Sequence, residues 1–157
     1  MENDSVRYME RSRDYYKAHG YESPYRWAHY DSVPFTGLTK PLNECTVTIV
    51  TTAMPDASFS GDADVLYRGD MRHPPKSFYT DERFWDKEAT HTDDVDSFFP
   101  IRELNRLAGE GTIGHLAAHY YCVPTEYSQR RTIAHDAPAI LQSCLDDGVD
   151  VAFLVPL

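Results

Sequence analysis

Two groups of side chains in this sequence have the residue types needed for acid–base or metal chemistry. The first is His91-Thr92-Asp93-Asp94-Val95-Asp96, and the second is His115-Leu116-Ala117-Ala118-His119-Tyr120-Tyr121-Cys122. Imidazole and carboxylate groups exchange protons near neutral pH and bind divalent metals. We therefore expect His119 to act as an acid or base, and His91, Asp93 and Tyr120 to bind substrate. Cys122 is a candidate catalytic thiol because it lies where a strand passes into a loop.

Each group also has a structural interpretation. Asp93, Asp94 or Asp96 can cap the helix that follows, and Cys122 can be a small buried hydrophobic residue. The candidate metal ligands are His91, Asp93, His115 and His119. The two histidines of the second group lie four residues apart, on one face of either a helix or a strand, but no carboxylate accompanies them at a fixed spacing. An enzyme that binds a metal through these four residues is therefore one alternative function.

The helices and strands that would position these residues follow from the hydrophobic periodicity of the sequence and from the glycines and prolines that end or interrupt it. The ranges are a helix over 5–19 ending at Gly20, an aromatic and proline-rich stretch over 21–42, a first strand over 45–53, a long acidic insertion over 54–96, a helix after Pro100, a second strand within 112–121, a helix from 127 or 128 to 147 interrupted by Pro138, and a last strand after Gly148. The tripeptide Arg68-Gly69-Asp70 is typical of a turn. Thr51 and Thr52 end the first strand, where their hydroxyls are candidate substrate-binding groups.

This order predicts an α/β fold: a single three-layer domain with a mostly parallel sheet, an N-terminal helix and a long insertion after the first strand. Residues 1–42 would form the N-terminal helix and a wrapping segment, and residues 43–157 the α/β part. The run of Val, Ala, Phe, Leu and Val after Gly148 predicts a strand covered on both faces.

Composition excludes several classes of function. The net charge of −10, from 25 acidic against 15 basic residues, argues against nucleic acid or a membrane surface as the main partner. No apolar run approaches the roughly 20 residues of a membrane span, so a cytoplasmic location is expected. Three cysteines without a C-x-x-C spacing indicate neither a disulfide framework nor a zinc knuckle.

One family resemblance runs through most of the chain. It is carried by the segments Val33-Pro34-Phe35-Thr36-Gly37-Leu38-Thr39-Lys40-Pro41-Leu42-Asn43-Glu44-Cys45, Val47–Thr52, His91-Thr92, Phe99–Leu104, Gly109–Gly114, His119-Tyr120 and Asp147–Asp150. In their order and spacing these segments resemble the selenoprotein B subunits of glycine, sarcosine and betaine reductases and their D-proline reductase relatives. The resemblance covers roughly residues 33–157.

The resemblance implies an oxidoreductase component, inactive alone, that cleaves a carbon–heteroatom bond in an amine-bearing small molecule. In that family a selenocysteine or cysteine pair (Sec-x-x-Cys or Cys-x-x-Cys) follows the last strand, so the selenolate or thiolate would lie just past Leu157, and a UGA codon there is one hypothesis. A thiol reductant is the implied partner, with Cys122 as a resolving thiol. The alternative from a different class is a non-catalytic α/β subunit that binds a partner subunit or forms a homo-oligomer.

Overall fold

The computed structural model describes residues 7–23, 28–56, 66–80, 91–125 and 128–157. The chain divides into two compact units, residues 1–35 and residues 36–157. Two stretches of the long insertion predicted after the first strand, 57–65 and 81–90, lie outside the described residues.

The first unit contains helix α1 (Tyr8–Ala18), and none of its residues is buried. The helix ends at Ala18, and the predicted Gly20 follows two residues later with a φ of +82°, a conformation that residues with a Cβ rarely adopt. The described residues contain no helix long and apolar enough to cross a membrane.

The second unit is built on a mixed, mostly parallel sheet of five strands. Strand β1 (Thr46–Thr51) is central. It pairs in parallel with β3 (His115–Leu116) and β4 (His119–Cys122) on one side and with β5 (Val151–Val155) on the other, while β2 (Tyr67–Asp70) runs antiparallel to β4. The β-branched run of β1 explains its central place, because such side chains pack well when a strand is covered on both faces. The predicted α/β class and mostly parallel sheet are confirmed.

Helices cover the two faces of this sheet and make three layers. Helix α2 (Ile101–Gly109) buries Ile101 and Leu104 in a core with Val47 and Ile49 of β1. On the other face, α4 (Ala137–Asp146) packs Cys144 against Val50 and Tyr121. The chain crosses from β1 to β4 and then back past β1 to β5. Right-handed crossovers in opposite directions put successive helices on opposite faces, so this order explains the layers.

The helix before the last strand is interrupted next to Pro138, as the sequence predicts. Helix α3 (Gln129–Arg131) is followed by a π-helical turn (Thr132–Asp136) and then by α4. Pro138 has no N–H for a helical hydrogen bond, which explains why the wider turn lies directly before it. Ile133 and Leu141, which the periodicity assigns to the inner face, are 60% and 59% exposed.

Two sequence expectations about strands are wrong. Arg68-Gly69-Asp70 is part of β2, not a turn, because it pairs in register with Tyr121, Tyr120 and His119. The last strand is not covered on both faces: Phe153 is 43% and Leu154 is 75% exposed. An apolar run cannot distinguish a central strand from an edge strand, because both are apolar on the covered face.

Candidate functional site

A polar cluster on the α4 face of the sheet joins side chains from three elements. The Asp147 carboxylate, just after α4, lies 2.8 Å from His119 Nδ1 and accepts a hydrogen bond from the Tyr121 hydroxyl. Arg68 of β2 donates to the other carboxylate oxygen at 3.2 Å. The Asp147 side chain is only 10% exposed, whereas His119 is 37% exposed. We call these four residues the Asp147 cluster.

Electrostatics keeps the Asp147 carboxylate ionised. Burial by itself would raise the pKa of Asp147, but hydrogen bonds from Tyr121 and His119 and the charges of His119 and Arg68 outweigh it, so the pKa is lowered from 3.8. An ionised carboxylate only accepts hydrogen bonds, so Nδ1 of His119 carries the hydrogen. In neutral His119, Nε2 is therefore the basic nitrogen, as an acid–base role requires.

A bulge interrupts the strand pairing next to His119, and a hydrogen bond across it holds the His119 backbone. Two residues of β1, Thr48 and Ile49, lie opposite the four residues 117–120, because Val47 pairs with Leu116 and Val50 with Tyr121. The buried Thr48 hydroxyl donates to the His119 carbonyl oxygen at 2.7 Å across this bulge. Bulges often re-aim side chains at sites, and this one interrupts the regular spacing assumed for His115 and His119.

A second imidazole–carboxylate pair lies beside the Asp147 cluster. Asp70 is the register partner of His119, and its carboxylate lies 2.9 Å from His73 Nδ1. Hydrogen bonds from Arg72 and His73 hold the pKa of Asp70 well below its usual range. This face of β2 and β4 therefore carries charged and titratable groups where the opposite face carries core residues.

Strand alternation separates the predicted site residues. Side chains of successive strand residues point to opposite faces, so Tyr120 and Cys122 face away from His119 and Tyr121. Tyr120 is 1% exposed and its ring packs on Phe99 at 4.9 Å between centroids. Burial, followed by the neighbouring Tyr67, raises the pKa of Tyr120 far above its ordinary value. Tyr120 is therefore a core residue in this structure.

Cys122 is fully buried, and burial raises the pKa of its thiol to about 12. Cys45 is equally buried, and Cys144 is 9% exposed with a pKa raised by burial and by Asp147. A thiol with such a pKa holds almost no thiolate at neutral pH, and the thiolate is the nucleophile.

We accordingly predict that the native chain reacts only slowly with a chromogenic disulfide reagent at neutral pH. The same chain in denaturant should react rapidly at all three thiols, which provides the internal control. Mass spectrometry of partly modified protein should find Cys144 modified first, since it is the most exposed of the three. Rapid modification of Cys122 in native protein would contradict the prediction and support its resolving role.

Thr51 and Thr52 lie at the carboxyl edge of the sheet, where ligands of α/β proteins usually bind. Thr51 is buried, and its hydroxyl accepts a hydrogen bond from the Ala53 N–H at 3.1 Å. The Thr52 hydroxyl accepts from the Leu157 N–H at 2.9 Å and donates to the Leu157 carbonyl at 3.0 Å. Cys122 is paired with Thr51, so His119 lies three residues, about 10 Å, back from this edge.

The first sequence group lies on the surface. His91 and Asp93 are 65% and 91% exposed, with 3.5 Å between Nδ1 and the carboxylate. Asp96 has the capping role that was the structural alternative, because its carboxylate accepts the Arg102 N–H of the first turn of α2 at 3.0 Å. Among the described residues, which include all four candidate ligands, no cluster of three or more metal-binding side chains occurs. The geometry gives no support to the metal-dependent alternative.

Sequence reasoning missed Arg68, Tyr121 and Asp147. Asp147 is 28 residues from His119 along the chain, and no spacing rule links the end of a helix to the strand before it. One available signal was Asp147-Gly148, a carboxylate directly before a glycine that ends the helix with φ +65°.

Comparisons with known proteins found no family model, curated protein or solved structure that matches this chain.

Proposed function

We propose that this chain is the α/β part of a reductase component of the selenoprotein B type. The reaction would be reductive cleavage of a carbon–heteroatom bond in an amine-bearing small molecule. A selenolate or thiolate attacks the carbon, and the heteroatom leaves with the bonding electron pair. A thiol reductant then supplies two electrons and is oxidised to a disulfide, while the carbon takes up a proton, so that the product leaves with a new C–H bond and the chalcogen anion is regenerated.

The observation that carries this proposal is the double hydrogen bond between the Thr52 hydroxyl and the Leu157 backbone. It holds the segment after β5 against the end of β1, at the carboxyl edge. In the family that the sequence resembles, the reactive motif follows this strand. Thr52 is therefore the side chain that we expect to position it.

The opposite end of β5 is also held. The Asp150 carboxylate accepts the Thr46 N–H at 2.7 Å and pairs with Lys40, and the Asp150 N–H donates to the Thr46 carbonyl. Lys40 and Asp150 both belong to segments that carry the resemblance. A strand held at both ends gives a following reactive group a defined position, which favours catalysis through pre-organisation.

Selenium incorporation tests the proposal. Cells of the source organism would be grown with radioactive selenium, and antibodies against residues 36–157 would recover the protein. We expect a labelled polypeptide, and a UGA codon after Leu157 that is read through to a cysteine three residues beyond the selenocysteine. An unlabelled polypeptide whose gene encodes neither selenocysteine nor a cysteine pair after Leu157 would overturn the proposal.

A second candidate function is that of a non-catalytic subunit that binds a partner. It is favoured by the exposure of Phe153 and Leu154 on β5, because apolar side chains on an edge strand are normally covered. This function needs no reactive group, and it predicts that β5 is covered by protein in solution.

A further inference from the structure

The Asp147 cluster contains two groups that are available to a ligand. Nδ1 of His119 faces the Asp147 carboxylate, so Nε2 points away from it, and Nε2 has no hydrogen bond to any described residue. Arg68 uses one nitrogen, Nη2, on the same carboxylate and makes no other side-chain hydrogen bond within the part of the chain that the structure describes. The side chain of Arg68 is 41% exposed and that of His119 is 37% exposed. A guanidinium has five N–H donors, so most of those of Arg68 can bind a ligand.

The strand pairing places these two groups close together. In the antiparallel pair of β2 and β4, His119 is the register partner of Asp70. Arg68 lies two residues before Asp70, on the same face, so Arg68 and His119 are diagonal neighbours. Diagonal Cβ atoms lie roughly 7–8 Å apart, within the reach of a long side chain. Because one oxygen of Asp147 binds His119 and the other binds Arg68, a basic nitrogen and a cation flank a single buried carboxylate.

The donors that remain on Arg68 select an anionic ligand. The charges of Asp147 and Arg68 cancel, but every N–H of Arg68 that is not bonded to Asp147 can still donate to a ligand oxygen. Guanidinium groups bind carboxylates and phosphates through two parallel hydrogen bonds. The Asp70 carboxylate on the same face is bound by Arg72 and His73, so it does not occupy Arg68.

We propose that the Asp147 cluster is an acid–base site for a small anionic substrate that carries a carboxylate or a phosphate. Arg68 binds the anionic group, and Nε2 of His119 takes a proton from the substrate and later returns one. The proton bonds to the lone pair of Nε2 and the electron pair of the broken bond stays on the substrate atom, so the step needs no oxidant or reductant. Asp147 is a positioning residue, because it keeps the hydrogen on Nδ1 and balances the charge of the imidazolium that forms.

This site is separate from the reactive group expected after Leu157. His119 lies three residue positions, about 10 Å, back from the carboxyl edge at which Thr52 holds Leu157. Proton transfer by His119 needs no selenolate or thiolate. It can therefore be present or absent whatever the selenium labelling shows.

Alkylation of the histidines tests the site with two reagents of the same shape. Iodoacetate is an anion and iodoacetamide is its neutral analogue. With either reagent the Nε2 lone pair bonds to the CH2 carbon, and iodide leaves with the electron pair of the C–I bond. Peptide mass spectrometry of the full chain, treated at neutral pH, gives the rate at each histidine.

We expect iodoacetate to alkylate His119 about tenfold faster than iodoacetamide does, because Arg68 holds the carboxylate of the reagent beside Nε2. His115 is the internal control, since it is exposed and has no side-chain hydrogen bond or ion pair with any described residue. Iodoacetate should have no such advantage there. Equal ratios of the two rates at His119 and His115 would overturn the proposal, and this comparison needs no variant to fold.

Substitutions and competing anions identify the group that binds the carboxylate. Arg68→Gln should abolish the preference for iodoacetate at His119 and leave its reaction with iodoacetamide. Arg106→Gln is the matched control, because Arg106 is an arginine on α2 that pairs with Glu103, and it should keep the preference. Inorganic phosphate and acetate, each far more concentrated than iodoacetate, should slow the alkylation of His119. Stronger protection by phosphate would indicate a phosphate substrate, and stronger protection by acetate a carboxylate. Protection by neither anion would overturn anion binding.

The positioning role of Asp147 has a spectroscopic signature. Long-range 1H–15N NMR spectra distinguish the two neutral tautomers of histidine, and His119 should carry its hydrogen on Nδ1 in the wild type. Because an asparagine amide can donate as well as accept, Asp147→Asn should give a mixture of tautomers and slow alkylation by both reagents. Asp146→Asn should change neither, since Asp146 bonds only to Gln142 among the described residues. A hydrogen on Nε2 in the wild type, or an unchanged tautomer and rate in folded Asp147→Asn, would overturn this role.

Discussion

Replacing Asp147 by Asn is expected to lower the free energy of unfolding by about 2–4 kcal/mol at neutral pH. The carboxylate is 10% exposed and accepts hydrogen bonds from His119, Tyr121 and Arg68, so the substitution leaves a cation and a buried hydroxyl without their ionised partner. These contacts join the end of α4 to β4 and β2, and their loss should weaken the packing of the whole α4 layer. Urea denaturation measures the change.

Asp146→Asn is the matched control. Asp146 is the adjacent residue but is exposed, and its one described contact is with Gln142 on the same helix. Its replacement should change the free energy of unfolding by no more than about 0.5 kcal/mol. Equal effects at the two positions would show that the Asp147 cluster contributes nothing specific.

The contribution of Asp147 should also depend on pH in a defined direction. Its pKa is lower in the folded chain than the ordinary value of 3.8, so the folded state favours the ionised carboxylate. The stabilisation is therefore fully present above pH 3.8 and is lost as the pH falls through the lower pKa of the folded state. The difference in stability between the wild type and Asp147→Asn should shrink in acid. A difference that grew as the pH fell below 3.8 would contradict the assigned pKa shift.

Replacing Gly69 by Ala is expected to lower the free energy of unfolding by about 1–3 kcal/mol. A Cβ at position 69 would lie 2.0 Å from Cζ and 2.3 Å from Cε1 of the Tyr120 ring, which crosses over Gly69 between neighbouring strands. The ring cannot move away easily, because it is 1% exposed and packs on Phe99 and Tyr67. Thermal or urea unfolding measures the loss.

Two further variants make this test specific. Gly109→Ala places the same methyl group in helix α2, where nothing lies within 4 Å, and it should raise stability by about 0.5 kcal/mol through helix propensity. Tyr120→Leu removes the clashing ring, so Gly69→Ala should cost less in that background than in the wild type. Additive effects at positions 69 and 120 would refute the steric explanation.

Much of the fold follows from local patterns. The β-branched run of β1 and the apolar stripe of Ile101 and Leu104 have clear periods, and these elements form where expected. Strand β2 could not be predicted, because glycine and aspartate have low strand propensity. It forms because β4 supplies the partner and the Tyr120 ring packs over Gly69.

The candidate site was less predictable than the fold. His119 stood out because imidazole is reactive, and the structure pairs it with a carboxylate. Its predicted companions Tyr120 and Cys122 lie on the opposite face of the same strand, and His91 lies on the surface. Residue type shows which chemistry is possible, whereas strand alternation decides which neighbours share a face.

By itself, the sequence determined the α/β class, the order of the parallel strands and of the helices between them, and the glycines that end the helices, because these depend on contacts between residues close along the chain. Only the tertiary structure decided that Asp147 meets His119, that Thr52 holds Leu157 and that β5 lies at an edge. Those contacts join residues 28 to 105 positions apart. They exist because the crossovers bring β4, β1 and β5 side by side, and no local pattern encodes that neighbourhood.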